Sequence, residues 1–139
     1  MVDRAQKCKI VAIDHIVLTV HDLAKTISFY CDVLGMELET FLPFEGGEER
    51  KSLRFGDYKI NIHHENSPYE PHALNPISGA IDICFISSRS IDDWKSIFDK
   101  KSIKIELGPI KKAGANFPIM SIYVRDPDQN LIEISNEIT

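Results

Sequence analysis

The chain has 139 residues and a formal net charge of −5 at pH 7, and it is 43% hydrophobic and 27% charged. That length suits one domain, which buries about 68% of the surface that the unfolded chain exposes. The composition excludes a disordered or a fibrous protein. The acidic balance excludes a general attraction to nucleic acid or anionic lipid, because neither surface meets a basic field. We therefore expect no nucleic-acid or membrane partner.

The cysteines and the start of the chain bear on the cellular compartment. Cys8, Cys31 and Cys84 are widely spaced and form no CxxC pair, which indicates reduced thiols rather than disulfides or zinc thiolates. Residues 1–9 lack the apolar stretch of a secretion signal. No apolar run reaches the roughly 18 residues of a membrane span. The expected location is the cytoplasm.

The first half of the chain, about residues 10–65, has the pattern of a βαβββ unit. Residues 10–20 are rich in β-branched side chains and predict a strand. Apolar residues then recur at helical spacing between Asp22, a candidate N-cap, and Gly35, a candidate stop. Three further strands are predicted at residues 36–41, 52–55 and 59–63.

The second half, about residues 80–136, repeats this order. Between the halves, residues 66–79 contain three prolines, which block regular structure and predict a linker or an active-site flap. Ser90 and Asp93 form the start of a capping box for a helix that ends near residue 101. Strands are predicted at residues 81–86, 103–107, 119–124 and 131–135.

The repeated order indicates an internal duplication. We therefore predict an α+β domain in which two βαβββ modules form a half-open, barrel-like curved sheet with pseudo-twofold symmetry. In the last strand of each module, Asn61 and Glu133 each lie between two isoleucines and are counterparts. His15 in the first strand matches either Asp82 or Ile83, and we prefer Asp82 because a carboxylate is a possible metal ligand.

Four counterpart positions face one cavity if the first and last strands of each module line the inside of the curved sheet. They are His15, Asn61, Asp82 and Glu133. His63 shares a strand face with Asn61 and is an alternative ligand, favoured by its imidazole, whereas symmetry favours Asn61. A lone strand histidine more often has a structural role, but Glu133 in an apolar strand is costly unless solvated or paired. Asp82, which lies between Ile81 and Ile83, is likewise either a metal ligand or a hydrogen-bonded structural residue.

Three basic residues are candidates for binding an anionic substrate. Arg54, Lys111 and Arg125 can form charge-assisted hydrogen bonds, although single basic residues usually lie on solvated faces. The sequence has no nucleophile elbow, phosphate-binding glycine loop or dinucleotide-binding fingerprint. The sequence therefore offers no motif for a serine nucleophile of this type or for nucleotide binding.

Two runs carry a resemblance to a known family. The run DHIVLTV at residues 14–20 and the run RDPDQNLIE at residues 125–133 resemble the opening and closing signatures of the glyoxalase/bleomycin-resistance/extradiol-dioxygenase, or vicinal-oxygen-chelate, superfamily. Gln129 stands where glycine is commoner. The runs LRFG at 53–56, AIDICFI at 80–86 and SIYVR at 121–125 most resemble the subgroup called glyoxalase domain-containing protein 5.

The resemblance implies a divalent metal, such as zinc, nickel, manganese or iron, bound by His15 and Glu133. It implies further ligands at Asn61 and Asp82, where glyoxalase I has Glu or Gln and then His. The family's metal chelates two adjacent oxygens of a small-molecule substrate as a Lewis acid. In a lyase or isomerase reaction of this type, Glu133 is the ligand placed to exchange a proton.

Two other functions remain open on the same residues. One is an Fe(II) ring-cleaving dioxygenase with His15, His63 and Glu133 as ligands. The other is a metal-free protein that sequesters a small molecule, as in the bleomycin-resistance branch. We also expect a homodimer, because a half-open sheet leaves edges that need covering.

Overall fold

The computed structural model describes residues 8–139, which form two four-stranded sheets, two α-helices and one π-helical turn. In chain order these are β1 Ile16–Val20, α1 Leu23–Ile27, the π-helical turn Ser28–Val33, β2 Glu37–Phe41, β3 Arg50–Phe55, β4 Tyr58–His64, β5 Asp82–Ile86, α2 Ile91–Lys100, β6 Leu107–Ala113, β7 Pro118–Arg125 and β8 Leu131–Glu137. Of residues 1–9, inspected above for a secretion signal, the first seven lie outside the described residues.

The two sheets have the same topology. Their strand orders are β1-β4-β3-β2 and β5-β8-β7-β6, and in each the first and last strands of the module pair in parallel while the other pairs are antiparallel. The predicted α+β fold of two βαβββ modules with an unclosed, curved sheet is confirmed. No helix within residues 8–139 combines the length and apolar character needed to cross a membrane.

Local signals set the helix ends as the sequence predicts. The side chain of Asp22 accepts a hydrogen bond from the backbone N of Lys25 at 3.1 Å, which caps α1. Ser90 caps α2 in the same way by accepting from the backbone N of Asp93 at 3.1 Å. Gly35 ends the first helical segment with a φ of 85°, in the left-handed region that favours glycine.

The first strand is shorter than predicted. It begins at Ile16, not at residue 10, and the preceding segment leaves apolar side chains in solvent, with Ile13 75% exposed. Ile16 pairs with Ile60, close to the start of β4 at Tyr58. Residues before Ile16 therefore have almost no partner strand, and β-branched composition alone does not keep them in a sheet.

The prediction of a strand at residues 103–107 is wrong. Residues 103–106 are not in a strand, and β6 instead runs from Leu107 to Ala113 along β7, with an irregularity in register between Leu107 and Ile110. At this irregularity the backbone of β6 passes close to that of β7. Only glycine fits at position 108, because a Cβ on it would lie 2.4 Å from the Ser121 carbonyl oxygen. Pairing with β7, a tertiary interaction, outweighs the local β propensity of residues 103–106. Lys111 consequently lies on an edge strand.

Each sheet buries the face that packs against its helix, and the two modules are packed together in one core. Tyr30, only 1% exposed, donates a hydrogen bond of 2.6 Å from its hydroxyl to Asp126 in the other module. The rings of Phe55 and Phe85 meet edge to face, with 5.3 Å between their centroids. Burial raises the pKa of Tyr30, so its hydroxyl stays a donor to the buried carboxylate. The other faces of the sheets carry the candidate functional residues.

Candidate functional site

The strand register identifies the counterpart of His15. Asn61 in β4 pairs with residue 17, and Glu133 in β8 pairs with residue 84. His15 and Asp82 each lie two residues before those positions. Asp82, rather than Ile83, is therefore the counterpart of His15, and both modules present the same two positions to the same side of the sheet.

The four candidate ligands do not form one cluster within a single chain. In the part of the chain that the structure describes, no three His, Cys, Asp or Glu side chains lie close enough to hold a metal ion together. His15 lies directly before β1 with its side chain 41% exposed, and its Nδ1 is 2.7 Å from Asp14 Oδ2. Asp82 opens β5 and is exposed.

On module 2, Glu133 belongs to a hydrogen-bonded network. The Ser121 hydroxyl donates to Glu133 Oε2 at 2.6 Å, and the hydroxyls of Ser121 and Ser135 are also 2.6 Å apart. The Cys84 thiol lies 3.3 Å from the Ser135 hydroxyl. Burial, together with the Glu133 carboxylate, raises the pKa of Tyr123 to about 12. The carboxylate of Glu133 is thus held in position by its own sheet.

Module 1 differs, because its polar face carries buried atoms without partners. Among residues 8–139, the buried side-chain nitrogen and oxygen atoms that lack a hydrogen-bond partner are Arg50 Nε, Ser52 Oγ, Asn61 Oδ1 and His63 Nδ1. Ser52 pairs with Asn61 across β3 and β4, and one step further along this register Arg50 lies beside His63. All four residues therefore share one face of the sheet.

The segment after β4 covers this face. The Tyr69 ring meets the His63 ring edge to face, with 5.3 Å between centroids, and the Arg50 guanidinium lies 4.1 Å from the Tyr69 ring centroid. His63 is only 5% exposed. Burial, with smaller contributions from Arg50 and His72, lowers the pKa of His63, so its imidazole is held neutral. Residues 66–79, the predicted linker or flap, thus pack over module 1, and we call them the flap.

A cavity of about 230 Å³ lies between the flap and the sheet. His63 lines it together with Val17 and Thr19 of β1, while the flap supplies much of the remaining wall. His15, Asn61, Asp82 and Glu133 are not among the lining residues. The described chain therefore has a partly open pocket at His63, and Glu133 lies outside it.

The end of the flap is anchored by polar contacts at the end of β4. Glu65 pairs with the imidazole of His21 and accepts a hydrogen bond of 2.6 Å from the Ser78 hydroxyl. The backbone N of His21 donates to Asp128 of module 2 at 3.2 Å. The hydrogen bond from His21 to Glu65 and the charge of Glu65 raise the pKa of His21. This anchor ties the flap to both modules.

The predicted substrate-binding arginines are already paired with carboxylates. Arg54 pairs with Glu39, and Arg125 Nε donates to Glu106 Oε1 at 2.9 Å. Lys111 is exposed on β6. The charges of the two arginines are therefore largely neutralised before any substrate arrives.

Sequence reasoning missed Arg50, because the predicted strand began two residues too late, at residue 52. The alternation was present in the sequence, since Arg50, Ser52 and Arg54 are polar whereas Leu53 and Phe55 are apolar. A strand that begins at Arg50 places this arginine on the polar face. Tyr69 was missed because nothing in the sequence shows where an irregular segment folds back.

The comparisons with known proteins agree with this architecture. The glyoxalase domain-containing protein RDO1 of Mycosarcoma maydis is 46% identical over 125 residues, covering 90% of this chain and 68% of that protein. Virulence protein STM3117 of Salmonella typhimurium is 48% identical over 126 residues, covering 91% of this chain and 84% of that protein. Its crystal structure superposes with a TM-score of 0.85, covering 94% of this chain and 100% of that one.

A more distant likeness is to a solved enzyme. The lactoylglutathione lyase from Agrobacterium tumefaciens is 25% identical, with a TM-score of 0.64, 90% of this chain covered and 92% of that one. The Glyoxalase/Bleomycin resistance protein/Dioxygenase superfamily profile matches residues 12–134. The chain therefore belongs to the Glyoxalase/Bleomycin resistance protein/Dioxygenase superfamily.

Proposed function

We propose that this protein is a metal-dependent, glyoxalase-like lyase or isomerase that acts on a small molecule with two adjacent oxygens. The observation that carries the proposal is the register, which makes His15 the counterpart of Asp82 and Asn61 the counterpart of Glu133. Each module thus presents the same pair of positions, and three of the four residues are strong metal ligands. The likeness to a lactoylglutathione lyase supports the same class of reaction.

The donor atoms fit a divalent ion. The contact of His15 Nδ1 with Asp14 leaves Nε2 free to ligate, the arrangement in which a carboxylate orients a metal-binding imidazole. Asn61 Oδ1 is a buried acceptor without a partner. With Asp82 and Glu133 the set holds one nitrogen and three oxygen donors, which suits manganese or iron at least as well as zinc or nickel.

A second copy of the chain completes the site in this proposal. The donors of the two modules do not cluster within the described part of one chain, so we place module 1 of one copy against module 2 of another. The sheets have unpaired outer strands at β1 and β5, and both carry exposed apolar side chains, including Val17 and Ile86. A homodimer covers these edges.

His15, Asn61, Asp82 and Glu133 would hold a divalent ion, which when bound would supply Lewis-acid stabilisation of negative charge on the two adjacent substrate oxygens. Glu133 accepts and returns a proton at the neighbouring substrate carbon, because it is the carboxylate best held in place. Ser121 orients Glu133 through its hydrogen bond of 2.6 Å.

The metal-free binding protein is the second candidate, because the cavity at His63 is formed by residues of one chain. The ring-cleaving dioxygenase has less support. It requires His63 as an iron ligand, yet burial and then the neighbouring Arg50 cation lower the pKa of His63, and the positive charge of Arg50 also opposes a metal cation there.

We also place the protein in a reducing compartment, the cytoplasm. Cys8, Cys31 and Cys84 are all free thiols. Burial raises the pKa of the Cys31 and Cys84 thiols, so neither is activated as a thiolate. This is the state expected where glutathione keeps cysteines reduced.

Metal content tests the enzymatic proposal. We expect protein purified without added metal to contain a divalent ion by mass spectrometry, and Glu133→Gln and His15→Ala each to lose most of it. In metal-replete buffer Glu133→Gln should also lower the Tm, because the carboxylate no longer neutralises the ion. Activity is then screened on hemithioacetals and on catechols, which separates lyase or isomerase chemistry from ring cleavage.

Glu106→Gln is the matched control, since it makes the same change at an exposed carboxylate paired with Arg125. Its metal content should equal that of the wild type. An unchanged metal content in both Glu133→Gln and His15→Ala would contradict the metal site and leave the binding protein as the better proposal. An unchanged or higher Tm for Glu133→Gln would point the same way, because neutralising an uncompensated carboxylate relieves a desolvation cost.

A further inference from the structure

We infer that the cavity between the flap and module 1 receives a small, uncharged apolar group of the substrate, of about the size of a phenyl ring. The inference names a substrate class for the proposed function, and it rests on that function only in taking the bound group to belong to the substrate. Three observations carry it: the position of the cavity beside two candidate metal ligands, a wall without charged side chains, and the volume.

The cavity lies beside two of the candidate metal ligands. Val17 and Thr19 of β1 line it, and His15 precedes Val17 by two residues. In the register of β1 with β4, Val17 pairs with Asn61, and Thr19 pairs with His63. Neighbouring strands are about 4.8 Å apart, so the members of each pair lie side by side. A substrate held at His15 and Asn61 therefore has the cavity next to it.

The wall of the cavity selects an uncharged group. None of the lining residues within 8–139 is Asp, Glu, Lys or Arg, and the surface is largely apolar, with Val17 and Ile77 among its residues. Asn130 also lines it, but its amide donates to Asp126 at 2.8 Å and accepts from the backbone N of Ile81 at 2.9 Å. A charged ligand group would lose its hydration here without meeting an opposite charge, which is strongly unfavourable.

The cation nearest to this wall in the register is turned away from it. Arg50 acts on His63, but it does not line the cavity. Its guanidinium lies 4.1 Å from the centroid of the Tyr69 ring, so it contacts that ring instead. Thr19 and Asn75, which do line the cavity, offer a hydroxyl and an amide. These groups suit a neutral polar substituent, such as an amide or a ketone, on an otherwise apolar ligand.

The volume of the cavity sets the size of the group. The space measures about 230 Å³. An apolar cavity of about 150 Å³ is enough for one benzene molecule. The remaining space accommodates one small substituent. The group is thus a phenyl ring or a branched alkyl chain of similar size, with at most one neutral polar substituent.

Three probes of the same shape and different charge test the inference. Benzamide is neutral, benzoate is an anion and benzamidine is a cation, and each is a benzene ring with one planar substituent. Each is titrated into the isotope-labelled full chain and followed by NMR at about pH 8, above the ordinary pKa of histidine. We expect benzamide to bind about tenfold or more tightly than either ion. Nuclear Overhauser contacts from its ring to the methyl groups of Val17 and Ile77 should locate it in the cavity.

Thr19→Phe tests the location independently. It should fill the cavity from the side of the sheet, because the strand fixes the direction of this side chain, and weaken benzamide binding about tenfold or more. Thr40→Phe is the matched control, since Thr40 is exposed on β2 and lies outside the cavity. It should bind benzamide like the wild type. If Thr19→Phe does not fold, Thr19→Leu fills less of the space and should weaken binding several-fold.

Two results would overturn the inference. One is the absence of benzamide binding, or benzamide binding that Thr19→Phe leaves unchanged. The other is equal or tighter binding of benzoate or benzamidine, measured also after dialysis against EDTA so that a bound ion does not contribute.

The cavity and the metal site fail separately, because the metal content is measured on the same sample. Metal-containing protein that does not bind benzamide in the cavity overturns this inference and leaves the proposed enzyme standing. Protein that binds benzamide as expected but contains no metal supports the cavity and overturns the proposed enzyme.

Discussion

The sheets of the two modules have the same strand topology, but their polar faces differ in hydrogen bonding. Buried polar atoms have partners on module 2 and lack them on module 1. On module 2, the hydroxyls of Ser121 and Ser135 satisfy each other and Glu133. On module 1, Ser52 and His63 have no partner for a buried polar atom although the flap covers them. The face that the flap covers is thus the one whose buried polar atoms lack hydrogen-bond partners. Such unpartnered polar groups beside a cavity are expected of a binding pocket.

The difference follows from the segment that comes after β4. The chain continues beyond β4 into the flap, which returns over the sheet and places Tyr69 on His63. On module 2, Glu133 does not line the cavity beneath the flap. The two modules have sheets of the same topology, and the segment that connects them makes their polar faces different.

The largest expected effect is the difference in the free energy of unfolding between two serine-to-alanine variants, one on each polar face. Ser121→Ala should reduce the free energy of unfolding by about 1–3 kcal/mol, because it removes the hydroxyl that donates to Glu133. Ser52→Ala should leave that free energy unchanged or raise it slightly, because it removes a buried hydroxyl without a partner. Both serines are fully buried, so exposure does not distinguish them. Urea unfolding monitored by circular dichroism measures the difference.

If both serine variants lose similar stability, the two faces are equally satisfied and the comparison fails.

A smaller effect should appear in the pH dependence of stability. The pKa of His63 in the folded chain is lowered from its ordinary value of 6.5, chiefly by burial. Between the two pKa values the unfolded chain binds a proton that the folded chain does not, so stability falls as the pH drops below 6.5 and levels off below the folded pKa. His63→Gln should flatten this fall in a series of unfolding curves.

His64→Gln is the control for the pH experiment, because it removes the neighbouring histidine, on the opposite face of β4. It should retain the fall in stability seen in the wild type. If His63→Gln and the wild type show the same change in stability from about pH 7 to about pH 5, burial does not hold His63 neutral.

The smallest effect concerns the anchor of the flap. The pKa of His21 is raised by its hydrogen bond to Glu65, so this contact is complete below 6.5 and is lost as the pH rises through the raised value. The pKa of Glu65 is lowered, first by Ser78 and then by His21, so its contribution is present above 4.5 and is lost in acid. Hydrogen-exchange protection factors of the flap should therefore decrease at alkaline pH.

Glu65→Gln removes the charge that raises the pKa of His21. In this variant the hydrogen-exchange protection of the flap should be lower than in the wild type and should depend less on pH. Protection in module 2 should not change and provides an internal reference. A flap whose protection is the same in both proteins at every pH would show that the anchor does not hold it closed.

Periodicity and capping alone determined most of the fold. Alternating apolar residues predicted seven of the eight strands approximately, and Asp22, Gly35 and Ser90 set helix ends because these signals act within a few residues of chain. The repeat also identified Asn61 and Glu133 as counterparts, since a parallel pairing of fixed register preserves such positions. The metal-ligand assignment of these residues remains a prediction.

Tertiary structure decided the features that depend on contacts far apart in sequence. Pairing with β7 moved β6 to Leu107–Ala113, and the start of β4 set where β1 begins. The return of the flap buried His63 beside Arg50 and Tyr69, while Arg54 was neutralised by Glu39. Whether a polar side chain has a hydrogen-bond partner depends on all the segments packed around it. A local sequence pattern describes only the segment to which the residue belongs.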